Sequence, residues 1–316
     1  MKPLVSIIIP CLNAAPWLAD TFENCLKQTY SSIEVIFVDN GSTDASWDIA
    51  RRFESPRNKL AHCGRRGASA ARNEGLSLAQ GEIIQYLDAD DLLAPDKIAI
   101  QVACLKETSF NFIASGAWTR FVDDPEKSIF RPDPNWNDFN PQEYFLTSWR
   151  RGGDMPVFSW LTPRQIIDNA GAWDENLTIN DDGEFFCRMI LSAKGIKFCQ
   201  NAKGYYRSVA GSLSAQRRPE DIKSLFQSAQ LCVNHLLKSE NSPRMRSVAA
   251  DLLQNIVCAN YPSVPALIQQ TEAEIARLGG SNYQPRESVF FNFFADVLGW
   301  KVARWLQFTF RKMRGV

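Results

Sequence analysis

Three aspartates stand within four positions at the end of an apolar segment. Residues 82–91 read Glu-Ile-Ile-Gln-Tyr-Leu-Asp-Ala-Asp-Asp, and the first part of this run has strand character. A buried carboxylate without a partner is costly, so such groups normally meet a cation, a donor or water. Asp88 and Asp90 can therefore hold a divalent cation and a phosphate-bearing ligand. The structural alternative is a strand-to-helix turn in which Asp91 caps a helix that begins near Pro95.

Polar residues of complementary chemistry occur in three further turns, at 10–13, 39–44 and 67–75. The turns that follow parallel strands gather along one sheet edge, so Asp39, Arg72 and the aspartates can share a crevice. Asp39 can accept hydrogen bonds from a base or ribose, and Arg72 can offer its guanidinium to a base carbonyl or a phosphate. Each also has a structural alternative, because Asp39 suits a turn and Arg72 suits a helix surface.

The elements that must position these residues alternate between strand and helix. Strands are predicted at 4–9, 33–38, 59–62, 83–87 and 112–121, and helices at 16–28, 45–53 and 68–79. The strands are β-branched and nearly continuous in apolar character, which is typical of strands buried on both faces. This alternation predicts an α/β fold with a mostly parallel, doubly wound sheet.

The later part of the chain changes in character. Short strands are predicted at 197–199 and 205–209, a flexible junction at 149–153, and helices alone after Pro219, at 220–238, 243–258 and 263–278. We therefore expect an α/β domain at 1–215, divided into a nucleotide-binding half at 1–110 and an acceptor-binding half at 111–215. A helical C-terminal region is expected at 216–316.

Four segments together resemble the family 2 glycosyltransferases. They read Ile-Ile-Ile-Pro-Cys-Leu-Asn at 7–13, Val-Asp-Asn-Gly-Ser-Thr-Asp at 38–44, Ala-Ala-Arg-Asn-Glu-Gly at 70–75 and Leu-Asp-Ala-Asp-Asp at 87–91. Their order and spacing agree with the family. The resemblance implies a GT-A fold, a nucleotide-diphosphate sugar as donor, Mn²⁺ or Mg²⁺ as cofactor, and transfer with inversion at the anomeric carbon. Cys11 and Leu12 depart from the usual apolar residue and Tyr, which concerns the pocket lining.

The resemblance also implies roles for single residues. Pro10 and Asp39 would line the nucleoside pocket, Arg72 would contact base or phosphate, and Asp88 the ribose. Asp90 would hold the metal. The full set implied for the nucleotide and donor is Pro10, Asn13, Asp39, Arg72, Asp88 and Arg207.

An inverting transfer needs a base that takes a proton from the attacking hydroxyl. Residues 180–188 look like the family's Glu-Asp segment, in which Asp182 matches the catalytic Asp and Asp181 replaces the usual Glu. If Asn180 caps a helix here, the helix dipole favours the ionised form of Asp182. Asp181 and Glu184 are the other candidates for the base. The structural alternative is that these acidic residues only occupy the first turn of a helix and have no catalytic role.

Two indoles, Asp181 and an arginine complete the predicted site. Trp160 and Trp173 precede the base segment and, with Asp181, are predicted to form an acceptor wall in which the rings stack on sugar faces. Large aromatics are also ordinary core residues. Arg207, followed by Gly-Ser-Leu-Ser at 211–214, resembles the segment that closes over the diphosphate, although a solvated surface arginine has the same appearance.

Composition limits the partners and the compartment. The chain has 316 residues, with 35 Lys plus Arg and 35 Asp plus Glu, so net charge gives no indication of nucleic acid binding. The eight cysteines are scattered without a C-x-x-C pair, which favours reduced thiols in the cytoplasm. His62 and His235 are interpreted as structural.

Residues 289–316 are rich in Phe, Trp, Lys and Arg, which suits peripheral contact with a membrane surface, for instance the inner face of the cell membrane. A helix packed on the catalytic domain or on another subunit of a homo-oligomer is the alternative.

The predicted function is sugar transfer from a nucleotide-diphosphate donor, UDP by family habit, to a hydroxyl of a glycan or lipid-linked saccharide. Two other classes are considered. One is a sugar-nucleotide-binding protein without turnover, which the presence of both Asp90 and Asp182 disfavours. The other is an aspartyl phosphotransferase, which would prefer Thr where this chain has Leu92.

Overall fold

A computed structural model describes residues 2–153, 155–209 and 218–313. The chain divides into two compact units, Met1–Tyr144 with Gly153–Gln216, and Phe145–Gly152 with Arg217–Val316. The second unit thus takes in Phe145–Gly152, a segment that lies well before the predicted boundary at 215.

The first unit contains the strands of the described chain, in two sheets. They are β1 (Val5–Cys11), β2 (Ile33–Asp39), β3 (Asn58–His62), β4 (Ile83–Tyr86), β5 (Leu92–Leu93), β6 (Ile113–Phe121), β7 (Thr162–Pro163) and β8 (Ile196–Arg207). The larger sheet has the order β3-β2-β1-β4-β7, and only β7 is antiparallel in it. The smaller sheet has the order β5-β8-β6. The predicted parallel-rich α/β architecture is confirmed.

Seven α-helices precede residue 193 in the described chain. They are α1 (Ala15–Leu26), α2 (Ser46–Arg51), α3 (Ala68–Leu78), α4 (Lys97–Glu107), α5 (Pro141–Arg151), α6 (Arg164–Ala170) and α7 (Asp181–Ser192). All but α5, most of which belongs to the second unit, lie in the first unit. Helix α3 lies so close to β1 that a Cβ at Gly75 would overlap the side chain of Ile8. The small residues of α3 therefore bring Arg72, one turn earlier on the same helix, close to the sheet.

The register of the large sheet places the polar turns at one edge. Cys11 at the end of β1 is paired with Asp39 at the end of β2, and Asp39 is paired with His62 at the end of β3. In β4, Tyr86 pairs with Ile8 of β1, so the aspartates that follow β4 leave the sheet at the same edge. The carboxyl ends of parallel strands form the usual ligand crevice of such sheets.

Two local predictions are wrong. The segments 197–199 and 205–209 are not separate strands, because β8 is continuous and pairs with β6 past an irregularity between Gly116 and Trp118. The predicted junction at 149–153 is helical up to Arg151, where α5 ends. The predicted diphosphate-closing residues at 211–214 lie outside the described residues.

The second unit is helical. Its helices are α8 (Pro219–Ser239), α9 (Pro243–Asn260), α10 (Pro265–Arg277), α11 (Val289–Leu298) and α12 (Trp300–Met313). Val233, Ala249, Leu253 and Val257 form the centre of its core. The helical region predicted after Pro219 is confirmed. Within the described residues, none of the helices combines the length and the apolarity needed to cross a bilayer.

Candidate active site

The turn after β4 holds three aspartates in different surroundings. Asp91 is buried, and its Oδ1 accepts a hydrogen bond of 2.8 Å from the backbone N–H of Arg207. The side chain of Asp88 is 36% exposed and faces Arg72. Burial, and then the charge of Asp88, raise the pKa of Asp90 to about 6. A backbone hydrogen bond and the charge of Arg207 act in the opposite direction but offset this rise only in part, so the negative charge of Asp90 is incompletely compensated.

Arg72 joins the two acidic segments of the first unit. Its guanidinium donates to Asp88 Oδ1 at 3.0 Å and to Asp181 Oδ2 at 2.9 Å. It also lies over the ring of Trp173, with 4.4 Å between Cζ and the ring centroid. The side chain is only 6% exposed. The structure therefore gives Arg72 two carboxylates as partners, where the sequence predicted a base or phosphate contact.

Asp181 and Asp182 open helix α7. Asp181 also accepts a hydrogen bond from Ser69 at 2.8 Å, so it belongs with α3 and Arg72 rather than with a separate acceptor wall. Burial, and then the charge of Asp181, raise the pKa of Asp182 to about 6, although Arg72 acts in the opposite direction. A carboxylate that titrates near neutral pH suits a general base.

The other parts of the predicted base segment have structural roles. Asn180 stands at the N-cap of α7 with φ of 56° and makes no side-chain capping hydrogen bond, so the predicted cap is wrong in its detail. Glu184 is buried and forms an ion pair with Arg188 at 2.7 Å. A carboxylate already neutralised in this way is a poor base, which leaves Asp182 as the candidate.

The turn after β2 is held together by its own polar groups. Asp39 accepts hydrogen bonds from the backbone N–H groups of Gly41 and Ser42, at 3.2 and 3.3 Å. Asn13 Oδ1 accepts from the N–H of Thr43 at 2.8 Å and ties the turn after β1 to it. Pro10 lies in β1 beside this edge. These contacts favour the structural alternative for Asp39.

His62 agrees with its structural interpretation. Its Nδ1 lies 3.3 Å from Asp39 Oδ2, and its ring stacks on Trp47 with 3.6 Å between centroids.

Among residues 2–153, 155–209 and 218–313, no three His, Cys, Asp or Glu side chains form a metal-binding group by themselves.

Arg207 lies directly against the acidic turn. Its Nε donates to the backbone oxygen of Asp90 at 2.8 Å, and its guanidinium lies over Phe121, 4.5 Å from the ring centroid. The side chain is 8% exposed, so it is not a solvated surface arginine. Asp91 and Arg207 thus connect the turn after β4 to the end of β8.

The structure corrects the predicted acceptor wall. Trp160 is 2% exposed and stacks on Phe186, and Trp173 is 3% exposed and stacks on Phe185 at 3.9 Å. A ring that is covered in the core has no face for a sugar. We therefore assign both indoles to packing.

Several residues of the site were not assigned a role from the sequence. Ser69 binds Asp181, and Asn73 exchanges hydrogen bonds with the backbone of Trp173 in both directions, at 2.9 and 3.0 Å. The polar positions of Ala-Ala-Arg-Asn-Glu-Gly were the available signal. Their partners lie about a hundred residues away, so the pairing itself cannot be seen in the sequence.

The acidic turn suits a divalent cation bound jointly with a ligand. Mg²⁺ and Mn²⁺ are commonly held by one or two carboxylates plus phosphate oxygens of the substrate. Asp90 and Asp88 supply such oxygen donors, and the raised pKa of Asp90 shows that its negative charge is poorly compensated.

The comparisons with known proteins identify the family. The model of glycosyl transferase family 2 matches residues 6–167. GlyG, a glycosyltransferase of Streptococcus pneumoniae, is 40% identical over 232 residues, which are 67% of this chain and 73% of the relative. The Escherichia coli relative WfaP is named UDP-Glc:alpha-D-GlcNAc-diphosphoundecaprenol beta-1,3-glucosyltransferase. It is 28% identical over 272 residues, which are 84% of this chain and 95% of the relative. The chain belongs to glycosyl transferase family 2.

The fold agrees with this assignment. The crystal structure of S. aureus TarS in complex with UDP-GlcNAc superposes with a TM-score of 0.71 over 98% of this chain and 92% of that chain, at 15% identity. The GT-A fold is therefore confirmed. Family membership supports a glycosyltransferase with a nucleotide-sugar donor over the two other classes considered from the sequence.

Proposed function

We propose that the protein transfers a sugar with inversion, with Asp182 as the base and Asp90 on a divalent metal. The carbon–oxygen bond between the anomeric carbon and the diphosphate breaks. A new bond forms from the opposite face to an acceptor hydroxyl, whose proton passes to the carboxylate of Asp182. The electron pair of the broken bond stays on the oxygen of the departing nucleoside diphosphate, so atoms and charge balance.

The observation that carries this proposal is the environment of Asp182. It stands in the first turn of α7 beside Asp181, which Arg72 joins to Asp88 at the acidic turn. Asp88 is also among the groups that raise the pKa of Asp182, so the two acidic segments interact electrostatically. A base with a pKa of about 6 is mostly ionised at neutral pH yet remains basic enough to accept a proton.

The chain's own residues position the donor around this base. Asp88 keeps an exposed edge that can accept hydrogen bonds from a ribose, while Arg72 holds its other oxygen. Arg207 fixes the backbone of the acidic turn and brings positive charge next to the expected diphosphate. Asp90, with Asp88 beside it, would hold the cation. When bound, this cation would neutralise charge on the departing diphosphate.

The relatives support a proposal for the donor and acceptor classes. TarS was crystallised with UDP and with UDP-GlcNAc, and WfaP is named for a UDP-sugar donor and a diphosphoundecaprenol-linked acceptor. We therefore propose a UDP-sugar as donor and a hydroxyl of a saccharide on a lipid diphosphate as acceptor. A panel of nucleotide sugars with Mn²⁺ would identify the donor.

The substitution Asp182→Asn tests the base directly. We expect transfer to fall by about a thousandfold, because the amide cannot take up the proton, while UDP affinity measured by calorimetry changes less than about threefold. Asp168→Asn, at an exposed position of α6, is the matched control and should keep full activity. Loss of UDP affinity together with activity would make Asp182 a donor-site or structural residue. Retention of the donor's anomeric configuration in the product, measured by NMR, would overturn inversion.

A further inference from the structure

Helices α11 and α12 carry an apolar face that the other described residues of the second unit do not cover. We call residues 289–313 the aromatic hairpin. Thirteen large apolar side chains are exposed among the described residues, and nine of them lie in the aromatic hairpin. On α11, Phe290, Phe293 and Val297 share one helical face and are each more than 60% exposed. On α12, Val302 and Trp305 are 41% and 51% exposed.

The opposite face of the aromatic hairpin is anchored within the second unit. Phe291 and Ala303 are buried. Lys301 pairs with Glu272 of α10 at 2.7 Å, and Trp300 packs edge-on against Tyr261 at 5.6 Å. The exposed face therefore belongs to an ordered pair of helices with a buried side. Exposure of its aromatic residues is a property of the fold, and the cost of that exposure implies a partner.

The charge of this segment indicates which partner. Residues 289–316 contain five basic residues and one acidic residue, Asp296, whereas the whole chain has equal numbers of both. Two of these basic residues, Lys301 and Arg304, pair with Glu272 and Glu287 within the second unit, and the other three follow the aromatic residues of α12 in the sequence. Basic residues next to Phe and Trp in the sequence are typical of segments that lie in the interface of an anionic bilayer.

We propose that the aromatic hairpin docks the protein on an anionic lipid surface, with the apolar face of α11 and α12 at the level of the headgroups and upper acyl chains. Aromatic side chains suit this depth because their amphipathic rings are favoured at the membrane–water boundary. This inference stands independently of the proposed base, metal and acceptor.

Co-sedimentation of the full-length chain with vesicles tests the proposal. We expect binding to vesicles of equal parts phosphatidylglycerol and phosphatidylcholine, and binding weaker by roughly tenfold or more to vesicles of phosphatidylcholine alone. The triple variant Phe290→Ser, Phe293→Ser, Trp305→Ser should lose at least about tenfold in partitioning to the anionic vesicles. Added salt should weaken binding of the unsubstituted protein, because the charge contribution is screened.

A matched variant separates the aromatic hairpin from general surface apolarity. Leu26 and Ile129 are exposed apolar residues of the first unit, so Leu26→Ser with Ile129→Ser should leave vesicle binding unchanged. Circular dichroism would show that both variants fold. Equal binding by the triple variant overturns the proposal. So does a concentration-dependent dimer, seen by light scattering without lipid, that the triple variant abolishes, since a second copy would then cover the face. Because vesicle binding needs no turnover, its loss is distinguishable from failure of the proposed reaction.

Discussion

Two turns at the same edge of the large sheet shift the pKa values of their aspartates in opposite directions. In the turn after β2, Asp44 accepts hydrogen bonds from Ala15 N–H and from Ser46 N–H and Oγ, at 2.6 to 3.0 Å. Burial alone would raise the pKa of Asp44, but these hydrogen bonds outweigh it, and the pKa lies below its usual value. In the turn after β4, burial and the charge of Asp88 raise the pKa of Asp90.

This contrast separates structure from chemistry among residues of one type. The turn after β2 supplies its own donors, so it is complete without a ligand. In the turn after β4, the side chain of Asp91 is buried with a pKa raised by burial and then by the charge of Asp90, while Asp90 itself has excess negative charge. Burial of like charges without full compensation is the arrangement expected where a cation or a reacting group completes the site.

Substitution of Asp90 should give the largest effect. We expect Asp90→Asn to lower transfer by about a thousandfold or more, because the carboxylate proposed to hold the cation would be lost. Mn²⁺ together with UDP should stabilise the unsubstituted protein against heat but not this variant, and calorimetry measures that difference without turnover. Asp44→Asn is the control from the other turn and should keep activity within about threefold. Equal loss in both variants would remove the distinction between the turns.

Arg72 should come next, because it joins the two acidic segments. Arg72→Met removes one cation from two carboxylates, and breaking a buried ion pair from one side costs roughly 3 kcal/mol. We expect the free energy of unfolding, measured with urea, to fall by this amount. We also expect kcat/KM to fall about a hundredfold, because Asp181 would no longer be held beside Asp182.

Arg65→Met provides the comparison for Arg72→Met. Arg65 pairs with Glu175 at 2.7 Å, but its side chain is 57% exposed. Exposed pairs contribute about 0–1 kcal/mol, so this variant should remain close to the unsubstituted protein in stability. If Arg72→Met lowered stability and kcat/KM no more than Arg65→Met, the ion pairs of Arg72 with Asp88 and Asp181 would not contribute to function.

Much of this arrangement follows from sequence, for identifiable reasons. The β-branched runs ending at Ile9 and Val38 predicted the buried parallel strands, and parallel topology then brought Asp39, Arg72 and Asp88 to one edge. A pattern with period 2 or 3.6 describes one element at a time. It places polar residues at strand ends but does not say which of them will pair.

The wrong predictions arose where long-range packing decides. Trp173 looked like a sugar-stacking residue, yet Phe185 covers one of its faces and Arg72 lies over its ring. The ligand contact of Arg72 stays a prediction, and what the sequence did not indicate is that its guanidinium also binds Asp181, 109 positions later in the chain. Side chains of the same type serve as core or as site according to neighbours that are distant in sequence.

The pH dependence of transfer should follow Asp182. The base acts only when ionised, and its pKa is raised to about 6, so kcat/KM should fall as the pH is lowered through about 6, by about tenfold for each pH unit below it. An ordinary aspartate would stay ionised to about pH 4. A flat profile of kcat/KM down to about pH 4, with the fold intact by circular dichroism, would contradict the assignment.

The smallest effect is expected at Asp44, and it bears on stability alone. Asp44→Ala removes hydrogen bonds to α1 and α2, which should lower the free energy of unfolding by about 1 kcal/mol, since the residue is exposed and solvent screens its charge. Because the folded-state pKa of Asp44 is depressed, its contribution is present above the unfolded pKa of about 3.9 and is lost as the pH falls through the lower folded value. The difference in urea midpoint between Asp44→Ala and the unsubstituted protein should therefore narrow in strong acid. A difference that stayed constant there would mean that the ionised carboxylate does not hold this turn.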